Sequence, residues 1–329
     1  LGTNAISSDA YRPALFYWAL ATAVAVFPLI ALGGLVTSLR AGMVDPQSVR
    51  VPWYMFTLAW QDTAEAHGVG YLIEHGHRQL GWIVGLMTIV LTLWVVLVSQ
   101  RRWVKVLAVC ALLGVSFQGV LGILRVELNR AGWGLELAMV HGITGQLVFT
   151  AVAMLSLVLS RSWIVAEPQE AEGGQRFRKM CRLTWMLVAV QLVLGVWLRQ
   201  LGSGSGYWLL IVHAVLALAI VSHAVMLVVR TRRAGLRDLR ALGQPALWLL
   251  LLVVGQIFLG TAGWWFGAGE GALDYRQVTV ERAGLTTAHV GIGALVLVTI
   301  TALTLRSYRH LYVNAAAGQP SLATASGVV

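Results

Sequence analysis

The stretch YLIEHGHRQLGWIVGLMTIVLTLWVVLVSQ, residues 71–100, decides the fold. It opens on Glu74, His75, His77 and Arg78, then runs from Gln79 to Ser99 without a charge. About 20 apolar residues are what a helix needs to cross the hydrocarbon core of a bilayer. Titratable groups at the mouth of such a span are costly, so four of them in five positions call for an explanation.

Working outward, the same kind of run recurs along the chain. Eight candidates fit: 14–38, 79–99, 106–124, 137–159, 183–198, 208–229, 245–266 and 284–305. Seven carry no charge, and the fifth reaches span length only by continuing past Arg199. With 58% of its 329 residues hydrophobic and 12% charged, the chain is too apolar for a soluble globular protein. Helices satisfy their own backbone hydrogen bonds in lipid. The expected fold class is therefore an all-α integral membrane protein with eight transmembrane helices.

Charge sets the expected orientation. Both termini and the even-to-odd connections hold 16 basic and 5 acidic residues, including QRRWVK (100–105), QRFRKMCR (175–182) and RTRRAGLRDLR (230–240). The other side holds 8 basic and 9 acidic residues. The positive-inside rule then puts both termini in the cytoplasm, and localisation reads as a bacterial cytoplasmic (inner) membrane, multi-pass. The net charge of +10 reads as topology rather than nucleic-acid binding. Cys110 and Cys181 fall near cytoplasmic ends, poor candidates for a disulfide and too few for a metal cluster. The first apolar run is too long for a signal-peptide core and reads as span one. The segment 314–329 is small and polar and reads as disordered.

Two marks repeat. QGVLG (118–122), QLVLG (191–195) and QIFLG (256–260) share Gln-x-x-Leu-Gly toward the outer ends of spans three, five and seven; span one has LIALG (29–33), with Leu29 for the glutamine. Each even span carries a histidine at its outer end, His77, His141, His213 or His289, followed four residues later by Gly81, Gly145, Ala217 or Gly293. Positions i and i+4 share a helix face, so each histidine stands beside a gap on its own helix. The organisation expected is two fused four-helix bundles: 14–160 and 183–305, joined by a cytoplasmic linker at 161–182, with a cytoplasmic tail at 306–329.

A histidine within a span is expensive and usually functional. A pair of facing imidazoles in a bundle is a familiar way to hold haem iron axially, and the small residue one turn away leaves room for a flat macrocycle. Arg40, Arg78, Arg125 and Arg199 lie near outer ends and are candidate partners for haem propionates. The bland reading of any one interfacial histidine is a hydrogen-bonded packing residue, and each His-x-x-x-small match is weak alone. Four in register on alternate spans weigh against it. Zinc or copper is the lesser alternative, since it wants clustered ligands. His67 reads as solvated in the first outer loop and His310 as part of the cytoplasmic tail. His223 lies about 15 Å deeper than His213 at about 1.5 Å per residue, without an evident partner. His75 points away from His77.

Glu74 sits three residues before His77, on roughly the same face. It is either a proton acceptor at the macrocycle edge or a helix-start carboxylate paired with Arg78. The other spans have Ala138, Leu210 and Thr286 there.

Glu74-x-x-His77-Arg78, with His141, His213 and His289 opening spans four, six and eight, resembles the heme A synthase family. The supporting stretches are GGLVTSLRAGM (33–43), QGVLGILRVEL (118–128), HGITGQLVF (141–149), LGVWLRQLGSG (194–204) and AHVGIGALV (288–296), so the resemblance covers about 20–305. It implies an oxidoreductase that converts the C8 methyl of heme O to a formyl group by successive hydroxylation, giving heme A for cytochrome oxidase. It also implies a resident haem b on His213 and His289, substrate heme O between His77 and His141, and Glu74 as the catalytic carboxylate. All four iron ligands would then lie near the outer face. The partners implied are the bilayer, a membrane electron acceptor and heme O synthase, with homo-oligomerisation left open. One departure stands out: many members carry a cysteine pair in outer loops, and residues 41–60 here contain none. The long, aromatic-rich outer loop at about 39–73 reads as a lid or an interfacial belt. The alternatives are a di-haem b-type cytochrome that only carries electrons and a haem-handling transporter.

Overall fold

A computed structural model describes residues 10–39, 41, 60–128, 131–171, 173–201, 206–233, 240–268 and 279–312. It is all helical apart from one two-residue strand pair. The helices are α1 (Pro13–Ser38), α2 (Trp60–Val98), α3 (Arg102–Glu127), α4 (Gly134–Leu159), the single turn α5 (Arg161–Ile164), α6 (Gly174–Leu201), α7 (Gly206–Arg233), α8 (Arg240–Ala268) and α9 (Val280–His310). Eight of them are long and apolar enough to cross a membrane. The protein is a multi-pass membrane protein.

The boundaries follow from local chemistry. Pro13 opens α1, where its missing N–H costs nothing. The Thr279 hydroxyl caps α9 by accepting from the Arg282 N–H, and Glu281 in the first turn meets the positive end of the helix dipole. The fifth span continues past Arg199 to Leu201, as its short apolar run required. The outer segment at 39–73 differs from expectation: the chain is already helical from Trp60, and α2 breaks at Gly68, whose φ of 75° only glycine adopts freely. Residues 42–59, including Trp53, Tyr54 and Phe56, lie outside the described residues.

Helix neighbours form a simple pattern. α1 packs on α2 and α4, α2 on α3, and α3 on α4; α6 packs on α7 and α9, α7 on α8, and α8 on α9. The two sets meet where α1 and α4 touch α9 and where α4 touches α6. The buried apolar residues fall into two clusters accordingly. One is centred on Leu91, Val152, Leu155 and Val158, the other on Leu227, Leu249, Leu297 and Ile300.

The basic end is tied together by arginines on helix C-terminal carbonyls, where a cation meets the negative end of the dipole. Arg101 donates to Val158 O at 3.1 Å and Arg309 to Trp163 O at 3.0 Å. Arg178 donates to Ser307 O at 3.2 Å and also to Leu311 O. Gln169 and Glu170 pair in parallel with Leu311 and Tyr312, fastening the connection between the halves to the end of α9. His310, expected in a free tail, is instead the buried last residue of α9.

Candidate functional site

The two repeated marks turn out to be the two sides of one joint. The glycine of the odd-helix motif makes room for the histidine ring of the neighbouring even helix. A Cβ on Gly33 would sit 2.8 Å from His77 Cε1; on Gly195, 3.1 Å from His213 Cε1; on Gly260, 3.1 Å from His289 Cε1. The Gly122 position is looser, 4.0 Å from His141 Cε1. In return the motif's glutamine reaches the histidine's backbone. Gln191 Nε2 donates to His213 O at 3.0 Å, and Gln256 Nε2 to His289 O at 2.7 Å. Gln118, with its amide turned to satisfy its neighbours, donates to His141 O at 3.2 Å and accepts from the Gly145 N–H at 3.1 Å.

This changes the reading of the small residue four positions after each histidine. A Cβ on Gly293 would lie 2.7 Å from Gln256 Nε2, and one on Gly145 would lie 3.3 Å from the Gln118 amide. These two gaps admit a glutamine, not a macrocycle. Gly81 is the exception: the α1 motif has Leu29 in place of the glutamine, and among the described residues nothing lies within 4 Å of where a Cβ on Gly81 would be.

The rings meet in pairs. The His213 and His289 ring centroids are 6.5 Å apart at an interplanar angle of 52°. Two imidazole nitrogens each about 2.0–2.1 Å from one metal would put their ring centres a little over about 6 Å apart, so this pair has the right spacing for an iron between them. His77 and His141 are close enough to interact electrostatically, with Arg125 beside both. Tautomers matter as much as distance. His77 Nδ1 donates to Leu29 O and His289 Nδ1 to Gln256 O, each at 3.1 Å. A carbonyl only accepts, so both rings carry the proton on Nδ1 and leave Nε2 free as a ligand. His213 Nδ1 has no hydrogen-bond partner among the described residues. His141 Nδ1 lies 3.1 Å from the Gln118 amide nitrogen, which would protonate Nε2 instead; ligation there needs the amide to turn over. The residues thus fit a bis-histidine haem at His213 and His289, and fit one at His77 and His141 once that amide turns. No group of three or more His, Cys, Asp or Glu side chains suited to a metal ion occurs among the described residues.

Glu74 is 2% exposed and pairs with Arg78, whose Nη2 donates to Oε1 at 2.5 Å. Burial of a carboxylate demands such a partner. Arg125 is near enough for its charge to feel Glu74, so the carboxylate, two guanidiniums and the two imidazoles form one cluster. Arg199 does something the sequence did not announce: its Nη2 donates to Gly34 O at 2.8 Å and Ser38 Oγ at 2.7 Å, crossing from α6 to α1, and it lies near His289. Arg40 lies outside the described residues.

A family model described as cytochrome oxidase assembly protein, COX15-CtaA, matches residues 51–212. Over that stretch, just under half of the chain, the sequence is similar to the COX15-CtaA family. The match takes in Glu74, His77, Arg78, Arg125, His141 and Arg199, and ends one residue before His213. No curated protein matches the chain. The similarity to COX15-CtaA points to cytochrome oxidase assembly and, broadly, to heme A synthesis.

Two histidines outside the set also have partners. His75 stacks on Tyr71, with ring centroids 5.4 Å apart, and its Nδ1 lies 3.5 Å from the tyrosine hydroxyl. The Tyr-x-x-x-His spacing was the available signal. His223, which the sequence left without an evident partner, donates from Nδ1 to Thr184 Oγ1 at 3.1 Å, since that hydroxyl's own proton goes to Met180 O. No one-dimensional signal joins residues on separate helices in this way.

Proposed function

We propose that this chain is a heme A synthase that oxidises the C8 methyl of heme O to a formyl group by successive hydroxylation. The two helix sets act as two fused four-helix units with both termini cytoplasmic and both histidine pairs near the outer face. His77 and His141 hold the substrate, and His213 and His289 hold a resident haem b. The observation that carries the reading is an asymmetry: two histidine pairs are built alike, and one of them has a buried carboxylate, Glu74, one turn from a ligand.

A haem b on His213 and His289 would supply a one-electron redox centre. Everything else falls to the chain's own residues. With water as the oxygen source, each hydroxylation gives up two electrons and two protons, and Glu74, paired with Arg78 and near Arg125, is the group placed to take a proton. Arg125, beside both N-terminal histidines, is the first choice for a substrate propionate; Arg78 and Arg40 are the second. Arg199 serves the C-terminal pair. The electrons leave to a membrane acceptor, and heme O arrives from the enzyme that makes it.

The test is to express the protein with a source of heme O, extract the haems, and look for heme A or its alcohol intermediate. A wild-type protein that makes neither is not a heme A synthase. The Glu74–Arg78 ion pair supports a second reading, in which Glu74 is structural and the protein is a di-haem electron carrier. Two bound haems with no oxidised product would select it.

A further inference from the structure

The three motif glutamines do work that the ligand assignment leaves unused, and the fourth position lacks one. Resting on the haem reading above, we propose that Gln191 and Gln256 are positioning residues that clamp both ligand helices of the C-terminal pair, and that His77, whose joint carries Leu29 in the glutamine's place, is the exchangeable ligand. Gln191 and Gln256 each donate to the backbone carbonyl of the histidine itself, at 3.0 and 2.7 Å. That bond fixes the depth and rotation of the ligand helix against its neighbour, and with them the place of the imidazole Nε2 that would ligate a haem. Packing alone does not require the amide. Among the described residues, Gln191 and Gln256 each keep a buried, unpartnered Oε1, and α1 builds the same glycine–histidine joint with Leu29 in the glutamine's place. The joint at His77 thus forms without an amide, and what the glutamine adds at His213 and His289 is its donor. At His77 the ring is still held by the Leu29 carbonyl at 3.1 Å and by the close approach of Gly33. Among the described residues, the place of the glutamine beside it is taken by Leu29, and the space beside Gly81 stays open. A site that must load a substrate haem and release a product needs one ligand that lets go. A site that keeps its haem needs none.

Carbon monoxide tests this, because it binds ferrous bis-histidine haem only as fast as a histidine leaves. The purified full chain is reduced and its CO-binding rate followed by flash photolysis. It is measured first with resident haem alone, then with haem added to fill the second site. Wild type should bind CO at the added haem and scarcely at the resident one. Gln191→Met and Gln256→Met keep volume and delete the donor; each should raise the CO rate of the resident haem about tenfold or more while its bis-histidine spectrum persists. Leu29→Gln, which has the open space by Gly81 to occupy, should lower the rate at the added haem by a similar factor. Unchanged CO rates in both methionine variants, with a normal wild-type spectrum, overturn the clamp alone. Equal CO rates at the two wild-type sites overturn the exchangeable His77. A wild-type protein with no bis-histidine spectrum overturns the haem reading and this inference together.

Discussion

The pair His77–His141 and the pair His213–His289 occupy equivalent places in two similar sets of helices, yet they differ at two points. The first has a buried carboxylate on the ligand face, Glu74, and the second has Leu210 and Thr286 there. The first also loses one of its glutamines to Leu29. Both changes fall on the same half and around the same histidine. The repeated motifs account for what is shared; on the proposed reading, the departures mark the copy that carries reactivity. A symmetric pair of sites would make a carrier, and the broken symmetry argues for an enzyme.

The largest effect expected separates the halves by their haem content. His213→Ala or His289→Ala should abolish the resident haem spectrum of the purified protein, because a single imidazole cannot hold a six-coordinate centre. His77→Ala should leave that spectrum intact. The reverse pattern would exchange the two assignments.

Next comes the carboxylate. Glu74→Ala should lower production of oxidised haem by about 100-fold or more, the range for a general base, with the resident haem retained. Arg78→Ala decides whether the effect is chemical. It breaks the same ion pair but leaves the carboxylate beside Arg125, so it should cost much less. Equal losses in the two variants would mark Glu74 as a structural partner of Arg78.

These expectations were partly legible before any coordinates. Long charge-free runs give the spans, since lipid leaves the backbone no alternative to a helix. The histidine register is equally plain, because i and i+4 must share a face. What one-dimensional reading missed lies between helices. The gap after each histidine looked like space for a ligand, because a sequence shows an absent side chain without showing what fills the space. Gln118 and Gln256 fill two of the four. Arg199 reads only as a candidate propionate partner near a helix end until its hydrogen bonds to α1 are seen. The break at Gly68 is invisible because glycine is common in membrane helices.

A middle-sized effect probes the joints themselves. Gly33→Ala puts a methyl 2.8 Å from His77 Cε1, against 3.1 Å at Gly260→Ala, and the ring cannot swing aside without breaking its bond to the Leu29 carbonyl. Overpacking of this kind costs about 1–3 kcal/mol. Thermal unfolding should show the larger loss at Gly33, and haem uptake by the first site should fall with it. A neutral Gly33→Ala would mean that His77 is less constrained than the packing indicates.

The smallest effect concerns the seam between the halves. Arg199 holds Gly34 O and Ser38 Oγ, so the residue after the one that seats His77 is tied to a cation near His289. Ser38→Ala removes one of the two bonds and leaves the other. Side-chain hydrogen bonds between membrane helices average about 0.6 kcal/mol, so the single variant should move the unfolding midpoint only slightly. A double-mutant cycle with Arg199→Ala isolates the pair. Coupling of about that size, with Arg199→Ala alone costing more because Gly34 O also loses its donor, would establish a joint that transmits position between the two sites. Zero coupling would leave the halves touching at this end through apolar contacts, and the difference between their histidine pairs would then have to act without the help of α1.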